Sequence, residues 1–226
     1  MNLQGAEIEA VLFDLDGTLV DSAPDLIVAI QHLRAEQGES PADAAAIGAV
    51  VSKGGRAMLR RGFPGADETR IESLLPRFLD IYAAAIATHS STYPGIDSVL
   101  TGLEMCGVRW GVVTNKPGWL ARALLAALSL DQRCAALVSG DCLAQKKPDP
   151  VPILHACELA GVDPQHSVYV GDDVCDIEAG RHAGTMTIAA AWGYLDGEDP
   201  HSWGADCVVA TPAALLHALG LERVAP

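Results

Sequence analysis

The run Ala10-Val11-Leu12-Phe13-Asp14-Leu15-Asp16-Gly17-Thr18-Leu19-Val20-Asp21-Ser22 decides how the rest of the chain is read. Its apolar start, residues 10 to 13, stops at two carboxylates one residue apart. In extended backbone, side chains two apart point the same way, so Asp14 and Asp16 can face one site just past a strand end. Gly17 permits a tight turn and Thr18 adds a hydroxyl. An uninterrupted apolar strand suits a parallel sheet, whose ligands lie beyond the carboxyl ends of the strands. One acid can attack as a nucleophile or hold a metal while the other moves a proton. Asp-x-Asp-Gly is also an ordinary polar turn, so the acids need companions.

The whole chain bounds what those companions can be. With 226 residues, 50% hydrophobic and 5% aromatic, it can bury a core of Ala, Val, Leu and Ile, as one domain or a core with an insert. No apolar run approaches the ~18 residues of a membrane span. Residues 1–9 carry Glu7 and Glu9 and lack the basic start of a signal peptide. A soluble, cytoplasmic protein is expected. The net charge of −14 disfavours nucleic acid and membrane surfaces as partners, and an anionic ligand must then meet local positive groups. Six cysteines, at 106, 134, 142, 157, 175 and 207, form no Cys-x-x-Cys pair and read as reduced packing residues rather than a zinc or disulfide framework.

Along the chain, Asp21-Ser22-Ala23-Pro24 reads as a cap and first turn, with a helix to Gly38. Further helices are expected near 41–50, 53–62 and 67–88, with Pro76 kinking or starting one. No strand is expected between 21 and 90. From residue 93 strands and helices alternate: helix 96–106, strand 110–114, helix 118–128, strand 135–139, helix 151–160, strand 167–170, helix 177–183, strand 185–190, and a strand-helix pair over 206–220. That alternation implies right-handed crossovers and a parallel sheet. The expected architecture is α/β, a Rossmann-like parallel-sheet core (1–20 and 91–226) with an inserted all-helical cap (21–90). In the helical block, Val51-Ser52-Lys53-Gly54-Gly55-Arg56 offers two glycines, two cations and a helix start to an anion, or is simply an exposed basic loop.

Polar residues now stand at several strand ends or nearby loops: Asp14 and Asp16, Thr114, Lys147, and Asp172 with Asp176. A parallel sheet brings such ends to one edge. Clustered carboxylates repel one another unless a cation neutralises them, and oxygen ligands favour a hard ion such as Mg2+. A lysine nearby would add positive charge for a phosphate.

These residues resemble four motifs of the haloacid dehalogenase (HAD) superfamily: Asp14-Leu15-Asp16-Gly17-Thr18, Thr114 in Val112-Val113-Thr114-Asn115-Lys116, Lys147 before Pro148-Asp149-Pro150, and Gly171-Asp172-Asp173-x-x-Asp176. They occur in order and span essentially the whole chain. The resemblance implies a Mg2+-dependent phosphatase acting on a small phosphorylated metabolite. Asp14 would be the nucleophile, and Asp16 would protonate the leaving oxygen and then activate water. Thr114, Asn115 and Lys147 would hold the phosphoryl group. Asp14, the Asp16 carbonyl and Asp172 would bind the metal, supported by Asp173 and Asp176. A monomer or homodimer is expected.

Asp16 separates this reading from dehalogenase and phosphonatase chemistry, since those relatives lack that acid. A phosphomutase and a non-catalytic binding protein on the same scaffold stay open. The overall pattern resembles bacterial phosphoglycolate phosphatases. However, the segment 50–57, with Trp192-Gly193-Tyr194 and Trp203-Gly204-Ala205-Asp206, looks more like the branch containing N-acetylmuramic acid 6-phosphate phosphatases. Lys53, Gly54 and Arg56 are expected to reach the substrate from the cap.

Overall fold

The structure, a computed structural model, describes residues 7–221. In chain order it forms β1 (Ala10–Phe13), β2 (Val20–Asp21), α1 (Ala23–Glu36), α2 (Ala44–Gly48), α3 (Gly55–Gly62), α4 (Glu68–Ala84), β3 (Ser91–Thr92), α5 (Ile96–Met105) and β4 (Arg109–Val113). There follow α6 (Gly118–Ala127), β5 (Leu137–Val138), α7 (Val151–Ala160), β6 (Ser167–Gly171), α8 (Val174–Ala183), β7 (Met186–Ala190), β8 (Cys207–Val209) and α9 (Leu215–Ala218).

Six strands make one parallel sheet in the order β5-β4-β1-β6-β7-β8. The chain builds outward from β1 to β4 and β5, then returns to the other side of β1 with β6. β1 is therefore the switch point, where loops leave in opposite directions and open a crevice. Phe13 is in register with Val112 of β4 and Val170 of β6. The residues that follow these three, Asp14, Val113-Thr114 and Gly171-Asp172, consequently emerge side by side.

Alternation along β1 fixes the layers. Val11 and Phe13 pack on one face with Ile96, Leu100, Leu124 and Leu215 of α5, α6 and α9. Leu12 points to the other face, with Ile153 and Ala179 of α7 and α8. Each such fully buried side chain contributes roughly 1.5–3 kcal/mol.

Helices α1 to α4 bury a separate cluster, in which Leu26, Ile30 and Leu33 of α1 meet Ile71, Leu74, Phe78 and Ile81 of α4. The spacing of those residues gives each helix one apolar stripe. Pro76 lies inside α4. It lacks the N–H that would reach the carbonyl of Glu72, so one rung of the ladder is missing while the helix runs on.

Several local expectations are corrected. β2 and β3 form a two-stranded antiparallel ribbon, with Val20 opposite Thr92 and Asp21 opposite Ser91, where no strand was read. Ser22 makes no capping bond; its hydroxyl donates to Asp16, and the Ala23 N–H is met by the hydroxyl of Tyr194. The second and fourth helices are shorter than expected, as α2 and α4 show. α8 begins at Val174 rather than 177, because Asp173 and Asp176 form a capping box that starts the helix at once.

Candidate active site

Asp14 leaves the end of β1, its backbone N–H still donating to Val170, and the residue is 6% exposed. Lys147 reaches it from the loop before α7. The Lys147 ammonium lies 2.7 Å from Asp14 Oδ1, 2.6 Å from Asp176 Oδ1 and 2.9 Å from the Tyr169 hydroxyl. Those three acceptors use all of its donors. Burial alone would lower the Lys147 pKa, but Asp14 and then Asp176 outweigh it and hold it well above the usual lysine value.

Asp172 follows β6 and is 1% exposed. Its Oδ1 accepts from the Thr18 hydroxyl at 3.0 Å, and its Oδ2 from the Tyr194 N–H at 2.8 Å and the Ser52 hydroxyl at 2.6 Å. So tight a seat needs glycine on both sides. A Cβ at Gly17, whose φ is +94°, or at Gly193 would collide with the Asp172 carboxyl.

Asp14, Asp172 and Asp176 bring oxygens within 4.8 Å of one another. Burial pushes Asp14 up to about 7 against the opposing pull of Lys147, and Asp176 and Asp16 push the same way as burial. Burial, with Asp14 and Asp176, drives Asp172 well above the usual carboxylate range. Three carboxylates face one ammonium here, so the ionised cluster wants further positive charge. Hard oxygen donors in that condition fit a divalent cation such as Mg2+. Asp173 stands apart from this cluster: it caps α8 through Cys175 N–H and pairs with Lys53 at 2.7 Å.

Asp16 sits beside the acids in a different setting. Its two oxygens lie 3.0 and 3.1 Å from the Lys116 ammonium, and Oδ1 also accepts from the Ser22 hydroxyl at 2.5 Å. Lys116 was visible in its motif but received no role from the sequence. Its signal was position, two residues past Thr114 at a strand end.

Thr114 is buried at the end of β4, its hydroxyl accepting the Lys116 N–H. Asn115 turns its side chain to the backbone of Lys147, Nδ2 donating to the carbonyl and Oδ1 accepting the N–H. Its amide thereby positions Lys147.

Asp14, Asp16, Thr114, Asn115, Lys116, Lys147 and Asp176 line one cavity of about 120 Å³. The opposite wall is apolar, with Leu26, Val51, Met58, Phe78 and Leu79 from the helical layer. Gly54 joins that wall. Lys53 and Arg56, expected to face a substrate, do not line it. Lys53 spans Asp173 and Glu198, and Arg56 makes a forked pair with Glu72 on the outer surface.

Residues 11–190 match the family described as haloacid dehalogenase-like hydrolase. The chain belongs to that family.

A protein named phosphoglycolate phosphatase, from Xanthomonas campestris pv. campestris, is 47% identical to this hydrolase over 207 residues, covering 91% of this chain and 94% of the relative. One named N-acetylmuramic acid 6-phosphate phosphatase, from Pseudomonas aeruginosa, is 44% identical over 214 residues, covering 94% and 95%. Among solved structures, a predicted phosphoglycolate phosphatase from Haemophilus somnus superimposes with a TM-score of 0.84 at 25% identity, covering 94% of the hydrolase and 98% of that chain. Among the described residues, no helix of the hydrolase is long and apolar enough to cross a membrane.

Proposed function

We propose that the protein is a Mg2+-dependent phosphatase that hydrolyses a small phosphomonoester in two steps. The observation that carries the reading is the placement of Lys147 2.7 Å from Asp14, at the wall of a cavity that also holds Asp16 and Thr114. An Asp14 oxygen attacks phosphorus, the ester oxygen departs, and Asp16 gives it a proton. Asp16 then removes a proton from water, which attacks the aspartyl phosphate, releases phosphate and restores Asp14. Lys147 and the Thr114 hydroxyl hold positive charge and a donor near the phosphoryl oxygens, where positioning and charge supply most of the acceleration. Mg2+, held by Asp14, the Asp16 carbonyl and Asp172 with Asp176 in support, would add charge stabilisation on those oxygens.

The layer of α1–α4 (residues 21–90) acts as a cap over a core of 1–20 and 91–226. A capped cavity excludes water and suits a metabolite rather than a protein substrate. The six unpaired cysteines accord with a reducing cytoplasm. Phosphoglycolate is the first substrate candidate, on the strength of the relatives' names. N-acetylmuramic acid 6-phosphate is the second, favoured by the apolar wall of Val51, Met58 and Phe78, which offers an N-acetylated sugar more contact than a two-carbon acid. Both candidates carry a carboxylate besides the phosphate ester.

The test is phosphate release from each compound with Mg2+, alongside Asp14→Asn. Turnover lost in the variant supports the reading. If neither compound nor an aryl phosphate is hydrolysed, the phosphatase reading fails and a binding role on this scaffold takes its place.

A further inference from the structure

Among the described residues lining the cavity, the cations are Lys116 and Lys147. Lys147 is saturated, its three donors taken by Asp14, Asp176 and Tyr169. Lys116 is not. Two of its donors meet the two oxygens of one carboxylate, Asp16, and among the described residues no second acid shares it. Its remaining side faces the ring of Tyr82, on α4, with the ammonium 4.5 Å from the ring centroid. An ammonium stabilised partly by an aromatic face is readily offered a better partner, and a lysine stem can pivot toward one. Asp16 would keep the Ser22 hydroxyl on Oδ1 when that happens.

We infer that Lys116 is the specificity-determining residue for a carboxylate on the substrate, receiving that group at the junction of the polar floor and the apolar wall. The inference rests on the proposed phosphatase activity and narrows it to acid-bearing phosphate esters. Lys53 and Arg56 cannot serve here without giving up their partners Asp173, Glu198 and Glu72. The Lys116 side chain is only 6% exposed, so an incoming carboxylate would meet it away from bulk water, where a charge-assisted hydrogen bond is strongest.

The experiment compares acid-bearing esters with neutral counterparts of similar size: 2-phosphoglycolate against 2-hydroxyethyl phosphate, and N-acetylmuramic acid 6-phosphate against its lactyl carboxamide. Wild type should favour the acid of whichever pair it hydrolyses. Lys116→Met should lower kcat on both members, through the loosened Asp16, but should also cut the acid-over-neutral ratio of kcat/KM at least tenfold, mainly in KM. Lys116→Arg should retain most of the ratio. A wild type without preference for the acid, or a Lys116→Met that slows both members by the same factor, overturns the inference and leaves Lys116 as a support for Asp16 alone. A wild type that hydrolyses none of the four esters and no aryl phosphate instead removes the phosphatase reading beneath it.

Discussion

The Ser52 hydroxyl lies 2.6 Å from Oδ2 of Asp172, 120 positions further along the chain. A residue of the helical layer thus touches a carboxylate of the acidic cluster directly, and its neighbour Lys53 clasps Asp173 and Glu198 at 2.7 and 2.9 Å. Together these contacts hold the layer down over the cavity. Lys53→Met should release it. Alkylation of Cys175, which lines the cavity, should then quicken severalfold, while Cys157, 1% exposed in the core, stays protected. Peptide-resolved mass spectrometry after brief iodoacetamide treatment reads both sites. Equal rates at Cys175 in variant and wild type would show that Lys53 does not control closure.

Lys147 neutralises two buried acids at once, and removing one partner of a buried charge pair typically costs about 3–5 kcal/mol. Lys147→Met should lower the thermal midpoint and reduce kcat by roughly a hundred- to a thousandfold, the scale of losing one preorganised charge donor. Thermal unfolding and steady-state kinetics check the two halves separately. A variant with normal kcat would rule out any role for Lys147 beyond packing.

The acidic cluster predicts its own response to metal. Mg2+ should raise the thermal midpoint, since a ligand bound only by the folded state at a hundred times its Kd stabilises by about 2.7 kcal/mol. Asp172→Asn removes one of three mutually repelling carboxyls. Its amide also gives up part of what the carboxyl accepts from Thr18, Tyr194 and Ser52, so the metal-free midpoint reports both changes, whereas the gain from Mg2+ should be small. Calorimetric scans with and without EDTA decide it, and an undiminished gain in Asp172→Asn would move the metal elsewhere.

Arg56 carries the opposite expectation. Its guanidinium is held by Glu72 on the outer surface, and exposed pairs of this kind contribute about 0–1 kcal/mol. Arg56→Ala should change kcat/KM less than twofold on either candidate substrate. A tenfold loss would mean that the side chain swings into the cavity during turnover.

The core of the site was legible because its chemistry is written at strand ends. An apolar run that stops at Asp14, Thr114 or Asp172 marks both the strand and the residue presented beyond it, and parallel topology supplies the convergence. Less was legible where the decision belongs to tertiary contacts. The pairing of Val20 with Thr92 carries no periodicity, since two residues cannot show one. Lys53 and Arg56 look alike as cations beside glycines, and only the positions of Glu198, Asp173 and Glu72 in the folded chain settle where each goes. Asn115 shares the motif of Thr114, and only the folded chain shows that its amide meets the backbone of Lys147, 32 positions away. Ser22 read as a cap by residue type, whereas Asp16 competes for its hydroxyl and wins.

The ribbon of β2 and β3 has a consequence for how such a protein diversifies. Asp21 and Ser91 are direct antiparallel partners, so the whole helical layer departs and returns within one interstrand spacing, about 4.8 Å. The layer can be exchanged, lengthened or replaced by a tight turn at that junction without shifting β1, β4 or β6. The apolar wall of the cavity is therefore encoded in a stretch of chain separable from Asp14, Asp16, Lys116 and Lys147, and recombination at two adjacent points can reshape that wall while the polar floor stays as it is.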